Sequence, residues 1–562
     1  MSSPPIPMPK MIWQVLQARQ IQSLPEIQQV FSPQLKELSN PYSLDQMDLA
    51  VDRLSRAYQK GEKICLYADF DLDGTSGLAL LKRGLELLGF ENLVHYQPSR
   101  LSEGYGLHSR VLEKLKAQGV HVVVTIDVGI TALEAALRAQ ELGLDLIVTD
   151  HHLPKESLPE ALALVNPNKG TCGSGLGHLC GAGVAFYLFL ALKMRFQKEG
   201  WLRSEVNSKE LLDCFAIGTL TDMVPLRAEN RVLVKHGLVE LAKTRRPGLK
   251  SLLKALNLWG RPLSAQDVAI RFAPKLNALS RMERGILPLD LFLIESEEQA
   301  QALVDQVIQN NADRVAFQAA AESLAEERAQ DLLMSSSPSC LFVWDESFHP
   351  GVVGLVATRL AQKFSLPSFV GALRDGMIVG SARGTGQEPG VLLGLESSSQ
   401  FLERFGGHAQ AAGFELDPAK AEGFAGALEE YYQSIAQAGK GSSEVTYFDA
   451  SGRLAEITPS FMRWYEGLGP FGAQFELPLF HLEELEIRSL RELRGGHIKL
   501  ELADRNFSQV RKEALWFSPP PSHPLLRSQG LEPGRTLEVL AHPQWNYFNG
   551  SQSLQLVLED LR

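Results

Sequence analysis

The stretch KICLYADFDLDGTSGLALLKRGLELLG, residues 63–89, decides the fold class. Its first third is an apolar run typical of a buried strand, and the rest carries apolar residues at helical spacing. The alternation continues along the chain. We predict strands over 92–98, 121–127 and 144–150, and helices over 109–119 and 131–143. Short apolar strands alternating with helices indicate a parallel, doubly wound α/β sheet.

Three of the predicted strands end in carboxylates or histidines. These residues are Asp69, Asp71 and Asp73 after the first strand, Asp127 after the third, and Asp150, His151 and His152 after the fourth. Ligands of such sheets bind beyond the carboxyl ends of the strands, so we expect all of these side chains in one crevice. Carboxylates crowded together resist ionisation unless cations compensate them. Mixed carboxylate and imidazole ligands indicate Mn²⁺ or Mg²⁺, with Zn²⁺ or Fe²⁺ as alternatives.

Side-chain alternation adds two expectations about this crevice. In an extended segment Asp69, Asp71 and Asp73 would share one face, and His151 and His152 would point to opposite sides. The two histidines should then not ligate the same ion. A calcium loop beginning at Asp69 is the alternative for the first motif, but Leu80 occupies the twelfth position, where such loops have glutamate. Asp127 taken alone would suit a helix N-cap.

Length and composition indicate a multidomain protein of the reducing cytoplasm. The 562 residues are too many for one core, so we expect three or four domains. No run of eighteen apolar residues occurs, and the N-terminus lacks the pattern of a signal peptide. Five scattered cysteines do not form a disulfide framework. We therefore expect a cytoplasmic protein that does not enter a membrane.

The net charge of −11 argues against coating of duplex DNA, but residues 243–284 form a basic segment. It contains Lys243, Arg245, Arg246, Lys250, Lys254, Arg261, Arg271, Lys275, Arg281 and Arg284, opposed only by Asp267 and Glu283. Such a segment is either the footprint of a phosphate backbone or a solvated helix face.

Motifs within these segments resemble a known superfamily. DFDLDG, VTIDVGI and VTDHH are similar to the first three motifs of the DHH phosphoesterases, and Asp222 would be the fourth-motif aspartate. PSRLSEGYGL, APKLNALSRM, HPGVVGLVATRLAQKF, GGHAQAAGF and LGPFG extend the resemblance, from about Asp69 to the C-terminus, to the RecJ family of bacterial exonucleases. Three departures stand out: Ser280 replaces the usual glycine, GSARG keeps Ser381 and Arg383 but not the last serine, and AQFELP follows PFG.

The resemblance implies a multidomain α/β architecture in which a doubly wound parallel-sheet DHH domain is followed by a long helical connector. An α/β DHH-associated domain and a C-terminal OB-like β-barrel complete it. We place an N-terminal extension at 1–45, packed on the residues directly after it, and the DHH catalytic domain at 46–240. The basic segment and helical connector span 241–333, the DHH-associated substrate-binding domain 334–440, and the OB-fold-like nucleic-acid-binding domain 441–562. AGKGSSEV, residues 438–445, is the predicted linker.

The resemblance also implies a site for two divalent cations, Mn²⁺ or Mg²⁺, that clamp a scissile phosphate. The implied ligands are Asp71, Asp73, Asp127, His151 and Asp222, with Asp127 bridging. Asp69 is a further ligand or orients one. Among the catalytic residues, His152 and His408 would stabilise charge developing on the phosphate beside Asp127.

A 5′ exonuclease must also recognise an end. Arg100, Ser381 and Arg383 are the candidates for a 5′-phosphate pocket. Lys275 and Arg281 would track the incoming strand, and Tyr105 would stack on a base. Two further groups keep open alternatives. Trp545, Tyr547 and Phe548 either stack on bases or form hairpin core, and Cys172, His178 and Cys180 fit buried structural roles better than zinc spacing.

The function implied is a metal-dependent phosphodiesterase, a single-stranded-DNA-specific 5′→3′ exonuclease of recombination and repair. Expected partners are single-stranded DNA with a 5′ end, a helicase and a single-strand-binding protein, with the chain itself a monomer. One alternative is a DHH phosphodiesterase of short RNA or small nucleotides, whose relatives are shorter and lack the OB-like domain. The other is an inactive RecJ-like scaffold, which would have lost motif residues that are all present here.

Overall fold

A computed structural model describes residues 3–100, 102–282, 285–386, 390–436, 447–520, 523–527, 530–548 and 551–562. The predicted linker, 438–445, and the boundary at 440/441 lie outside these residues. Among the described helices, none combines the length and the apolar character needed to cross a membrane.

The helices and strands follow one another in three groups. The N-terminal and catalytic part contains α1 (Lys10–Ala18), α2 (Leu24–Phe31), α3 (Met47–Lys60), β1 (Ile64–Ala68), α4 (Leu72–Leu88), β2 (Leu93–Tyr96), α5 (Ser109–Ala117), β3 (Val122–Ile126), α6 (Leu133–Glu141), β4 (Asp145–Thr149), β5 (Ala163–Val165), α7 (Gly181–Glu199), α8 (Leu212–Thr221) and α9 (Ala228–Leu241). The middle part contains α10 (Pro247–Ala255), α11 (Ala273–Met282), α12 (Pro288–Leu293), α13 (Glu297–Ser335), β6 (Leu341–Asp345), α14 (Val353–Phe364), β7 (Ser368–Arg374), β8 (Met377–Arg383), α15 (Val391–Ser397), β9 (Leu402–His408), β10 (Ala411–Leu416) and α16 (Ala421–Ala436). The C-terminal part contains β11 (Ala450–Gly452), α17 (Pro459–Leu468), β12 (Phe480–Leu493), β13 (His497–Asp504), β14 (Arg511–Trp516), α18 (Pro524–Arg527), β15 (Thr536–Phe548) and β16 (Ser551–Leu561).

The catalytic sheet has the order β2-β1-β3-β4-β5, and every neighbouring pair is parallel. β1 and β3 are buried along their whole length, because helices cover both faces. One apolar layer includes α3, α4, α7 and α8, and the other includes α5 and α6. The predicted doubly wound parallel sheet is confirmed, and it brings the ends of β1, β3 and β4 to one edge.

The expectation that Asp69, Asp71 and Asp73 share a face of one extended segment is wrong. α4 begins at Leu72, so Asp71 is its N-cap and Asp73 lies in its first turn. A carboxylate at the N-cap accepts hydrogen bonds from N–H groups that the helix leaves unsatisfied. This local preference starts the helix inside the motif and sends the three side chains in different directions.

The predicted long connector is present as α13, a helix of 39 residues. It leads into a second α/β unit with a mixed sheet of order β6-β7-β8-β10-β9. α13 and α14 pack on this sheet through one apolar cluster that contains Ala325, Val356 and Val370. The α/β character predicted for this unit is confirmed.

The C-terminal strands form a closed barrel. They pair in the order β12-β13-β14-β16-β15, and a further pairing of β12 with β15 closes the circle. Alternating burial along β13 indicates that one side of each strand fills the interior. The predicted OB-like β-barrel is confirmed.

The N-terminal helices do not pack on the residues directly after them. The buried face of α1, including Met11 and Val15, joins the apolar cluster of the C-terminal part with Leu454 and Phe461. Arg19 extends this contact through an ion pair with Asp449 at 3.2 Å. An amphipathic helix shows which face is buried but not against which element, so the sequence placed this segment on the wrong neighbour.

Candidate metal centre and substrate pocket

The first DHH-like motif is fixed by two helix N-termini. Asp71 Oδ1 accepts hydrogen bonds from the backbone N–H groups of Asp73 (2.9 Å) and Gly74 (3.0 Å). Asp73 in turn accepts from the N–H groups of Gly181 (2.6 Å) and Ala182 (2.9 Å), which begin α7. The positive ends of α4 and α7 therefore meet at these carboxylates, where they favour the ionised forms.

Asp127 is the buried centre of the cluster. It follows β3 with φ of 63°, a left-handed conformation that aspartate tolerates better than most residues. Its Oδ1 lies 3.2 Å from His151 Nε2, which also lies 3.5 Å from Asp222 Oδ2 and 3.9 Å from Asp73 Oδ2. One imidazole nitrogen thus faces three carboxylates that come from three different elements.

His151 and His152 do not diverge as strand alternation predicts. Their ring centroids are 4.6 Å apart, and His152 Nδ1 lies 3.7 Å from Asp127 Oδ1. β4 ends at Thr149, so the histidines lie beyond the strand, in a bend. Asp150 shapes this bend, because its Oδ1 accepts both histidine N–H groups and its Oδ2 accepts the N–H of Ile130.

Asp150 also orients the His152 ring. His152 Nδ1 lies 2.8 Å from Asp150 Oδ1, and this contact directs the opposite ring nitrogen away from the carboxylate. The Tyr105 hydroxyl lies 3.4 Å from the same Nδ1, with the two rings in edge contact. Tyr105 is half exposed, so it lies at the mouth of the cluster beside His152.

The donor atoms of this cluster fit divalent cations. Buried Asp69 Oδ1, Asp127 Oδ1, His151 Nε2 and Asp222 Oδ2 have no hydrogen-bond partner among the described residues. Possible ligand atoms converge within 4.8 Å in three groups: Asp69, Asp71 and Asp127; Asp73, His151 and Asp222; and Asp127, His151 and His152. Asp127 belongs to two of the groups, as a carboxylate shared between two cation positions would.

Burial and mutual repulsion raise the pKa values of the carboxylates in the metal-free protein. Burial and the charge of Asp71 raise the pKa of Asp69 to about 8, and burial with the charges of Asp73 and Asp71 raises that of Asp222 to about 8. Burial and neighbouring carboxylates also raise the pKa of Asp127. Burial lowers the pKa of His151 and so favours the neutral form that ligates metals.

These shifts predict that cation binding strengthens with pH. The folded-state pKa of Asp69 and Asp222, about 8, exceeds the unfolded value, so the metal-free fold loses stability as pH rises from about 4 to 8. Cations bind the ionised carboxylates and offset this loss. We expect Mg²⁺ to raise the thermal midpoint more at pH 8 than at pH 6, measured by calorimetry. An Asp375→Asn control on the exposed β7–β8 turn should behave like the wild type, and an equal shift at both pH values would contradict the assignment.

Two glycines allow the carboxylates to approach the helices. A Cβ on Gly181 would lie 2.4 Å from Asp127 Cβ, and one on Gly218 would lie 2.6 Å from Asp73 Oδ1. We expect Gly181→Ala to displace Asp127 and to weaken Mg²⁺ binding roughly 10- to 100-fold, as loss of ligand-orienting contacts typically does. Isothermal titration calorimetry measures this effect. Gly173→Ala is the matched control, because its Cβ would meet nothing within 4 Å. Unchanged affinity in a folded Gly181→Ala protein would refute the account.

A second, positively charged cluster adjoins the first motif. Arg100 lies at 5.2 Å over the ring of Phe70, the residue directly after Asp69. Burial and the charges of Arg100, Arg314 and Arg383 lower the pKa of Arg281 to about 10. Burial and Arg100 likewise lower the pKa of Arg383, whose Nη1 donates to Ser381 Oγ at 3.1 Å. Guanidinium groups held together in this way form a site suited to an anion such as phosphate.

Lys275 continues this cluster along α11. Burial and the charges of Arg314 and Arg271 lower the pKa of Lys275, which places the three groups within electrostatic range. Arg314 comes from the connector α13 and was missed in the sequence. No local signal marked it, because that helix reads as uniformly polar.

Much of the rest of the basic segment is paired. Arg246 lies 3.4 Å from Asp213, Lys250 lies 2.6 Å from Glu297, and Arg261 and Arg271 share Asp267. Two of these acids come from outside the segment, which is why counting charges within it overstated its excess. The solvated-face alternative therefore fits part of the segment.

Other predicted residues lie apart from the metal cluster. His408 is exposed at the end of β9, and no hydrogen bond or ion pair recorded for the described residues joins it to Asp127. Trp545 packs partly on the barrel core, whereas the half-exposed Tyr547 ring lies under the Arg261 guanidinium at 4.7 Å. The Phe548 side chain lies outside the described residues.

The cysteine and histidine residues of the glycine-rich stretch form no metal cluster in the described part of the chain. His178 pairs with Glu229 at 2.9 Å, and buried Cys180 contacts the Thr219 hydroxyl. Structural roles therefore account for these residues. The same stretch also carries Gly181, whose part in holding Asp73 the sequence did not reveal, although a glycine pair before an apolar helix is a signal for close backbone approach.

Comparison with known proteins agrees with this architecture. Residues 63–219 match the DHH family, N-terminal domain, and residues 448–560 match the RecJ OB domain. The single-stranded-DNA-specific exonuclease RecJ of Salmonella typhimurium is 31% identical over 571 residues, covering 99% of this chain and 96% of that relative. RecJ from Thermus thermophilus in complex with Mn²⁺ superposes with a TM-score of 0.78 at 27% identity, covering 99% of this chain and 76% of that one. The same protein in complex with Mg²⁺ gives 0.70 at 25% identity, covering 99% and 75%. The chain belongs to the RecJ family of DHH phosphoesterases.

Proposed function

We propose that this chain is a single-stranded-DNA-specific 5′→3′ exonuclease that hydrolyses phosphodiester bonds in recombination and repair. The observation that carries the proposal is the pairing of two clusters. A buried set of metal-ligating side chains lies beside a group of arginines, and Phe70 and Arg100 link the two. The relative from Salmonella typhimurium is named a single-stranded-DNA-specific exonuclease.

Two cation positions are proposed, with Asp127 shared between them. Asp69 and Asp71 would complete one position, and Asp73, His151 and Asp222 the other, following the ligand groups of the cluster. The structures of the Thermus thermophilus relative contain Mn²⁺ or Mg²⁺, and an oxygen-rich set with one imidazole suits both. Bound there, the cations would supply Lewis acidity to the scissile phosphate and lower the pKa of a water.

The protein's own residues orient the phosphate. His152 is held by Asp150 through Nδ1, and its Nε2–H is left to donate to a non-bridging phosphate oxygen. Tyr105 supports the ring and offers a half-exposed face to a base. His408 would reach the same phosphate only if the strand of β9 that carries it approaches the cluster, so we assign it a role in the substrate-bound state.

The arginine cluster is proposed to recognise the 5′ end. Arg100, Ser381 and Arg383 would bind the terminal phosphate, and Arg281 and Lys275 would follow the strand that enters behind it. A terminal phosphate carries more charge than an internal one, so a concentrated guanidinium site favours an end. Polarity from the 5′ end follows if this pocket receives the leaving nucleotide.

Digestion of matched oligonucleotides tests the substrate assignment. Single-stranded DNA, duplex DNA and RNA of one sequence are incubated with Mn²⁺, with and without a chelator, and the products are separated by length. The proposal expects rapid shortening of single-stranded DNA alone, abolished by the chelator. Preferential degradation of short RNA would favour the phosphodiesterase alternative, which the RecJ OB domain at 448–560 already disfavours.

Monomeric action with a helicase and a single-strand-binding protein remains our proposal for the cellular setting. A single-strand-specific enzyme needs another protein to open duplex DNA, and exposed single strands are coated in cells. The five cysteines are free thiols, four of them buried, which supports the reducing cytoplasm as its compartment. Size measurement with and without DNA would test the monomer.

A further inference from the structure

The connector helix α13 carries an aromatic contact that the proposed function does not use. The ring of Phe317 stacks on that of His349 with centroids 5.3 Å apart and planes inclined by 30°. His349 opens the turn before α14, and this turn belongs to the DHH-associated unit. Phe317 keeps 42% of its surface exposed despite the stack, so part of the ring remains open to a ligand.

Two short paths connect this aromatic pair to the arginine cluster. His349 Nδ1 accepts the N–H of Gly351 at 3.0 Å, and Gly351 O accepts from Arg281 Nη1 at 3.2 Å. A Cβ on Gly351 would lie 2.3 Å from the Arg281 carbonyl oxygen, and one on Gly354 would lie 3.0 Å from Arg383 Nη2. The turn that holds His349 therefore packs directly on two arginines of the cluster.

The helix supplies the second path. Arg314 and Phe317 are three residues apart on α13 and so lie on the same face. The charge of Arg314 acts on both Arg281 and Lys275, which places this face toward the cluster. The Phe317 ring thus lies one helical turn from a guanidinium of the phosphate-binding group.

We propose that Phe317, backed by His349, is a stacking platform for the base of the 5′-terminal nucleotide. The inference rests on the proposed exonuclease function and adds a base subsite to its phosphate pocket. A nucleotide places a flat apolar base about one residue's reach from its phosphate, and the structure offers an exposed ring at the edge of a cationic site. Stacking on a π-face accepts any base, which suits an enzyme that degrades strands without regard to sequence.

Removal of a base tests the platform without any protein variant. Steady-state rates are measured on 5′-phosphorylated single-stranded oligonucleotides with an abasic residue at position 1 or at position 4. We expect KM for wild type to rise about 10-fold for the position-1 substrate, within the range for loss of one stacked base, with little change in kcat. The position-4 substrate should behave as the intact oligonucleotide does in its first cleavage.

Variants then assign the effect to Phe317. Phe317→Ala should raise KM about 10-fold on intact DNA, add nothing further on the position-1 abasic substrate, and be rescued by Phe317→Trp. Val315→Ala, an exposed apolar residue on the same helix, should match the wild type, and thermal midpoints check folding. A Phe317→Ala penalty that is absent, or equal on intact and abasic DNA, overturns the platform and leaves the pair as a seam between the connector and the turn. Failure of the wild type to degrade DNA would instead overturn the proposed function and the platform with it.

Discussion

Asp127→Asn is expected to reduce Mn²⁺-dependent nuclease activity by roughly 10³-fold, since it removes the carboxylate shared by two ligand groups. Asparagine is the informative replacement. It matches aspartate in shape and tolerates the left-handed backbone at φ of 63°, where alanine would add strain. Rates are measured from initial digestion of a labelled single-stranded oligonucleotide.

The same variant should be more stable than the wild type when no metal is present. Burial and four neighbouring carboxylates raise the pKa of Asp127, so its ionisation destabilises the metal-free fold as pH rises. Asparagine removes that cost, and the thermal midpoint at pH 8 in chelator should rise while the Mg²⁺-induced shift shrinks. Loss of activity together with a lower metal-free midpoint would indicate misfolding rather than loss of a ligand.

Arg383→Ala is expected to abolish the preference for a 5′-phosphate. Charge-assisted hydrogen bonds to an anion contribute about 1.5–3 kcal/mol, so kcat/KM for 5′-phosphorylated DNA should fall about 10- to 150-fold. The rate on 5′-hydroxyl DNA should change little, because that substrate offers no terminal phosphate. Arg383 also contacts Ser381, so the comparison between the two substrates isolates the phosphate effect.

Arg404 supplies the control for this measurement. It lies on β9 of the same sheet, is exposed, and pairs only with Glu415 among the described ion-pair partners at 2.8 Å. Arg404→Ala should keep the ratio of the two substrates at the wild-type value. A retained 5′-phosphate preference in Arg383→Ala would remove this arginine from the proposed pocket.

The sequence predicted which elements meet at the site because parallel strands leave little freedom. Once β1, β3 and β4 are parallel neighbours, their carboxyl ends must lie along one edge, and Asp69, Asp127 and His151 arrive there together. Family motifs added Asp222 and the arginines, which lie far apart in the chain. The barrel was likewise readable from the spacing of short strands and turns.

The errors arose where local capping or distant packing decides the geometry. A cap at Asp71 begins α4 inside the motif, and the bend shaped by Asp150 turns His151 and His152 toward the same carboxylate. Neither follows from strand alternation. The packing of α1 on the C-terminal part and the approach of Arg314 depend on contacts between distant segments or between uniformly polar surfaces, which leave no periodic signal.

The most direct test of the central claim uses one single-stranded oligonucleotide labelled at either its 5′ or its 3′ end, incubated with Mn²⁺, with Asp127→Asn as the inactive control. The account predicts that the 5′ label is released at once as a short product. The 3′ label should remain on long fragments that shorten progressively. Release of the 3′ label first, or equal release from both ends, would contradict degradation from a 5′ end held in the arginine pocket.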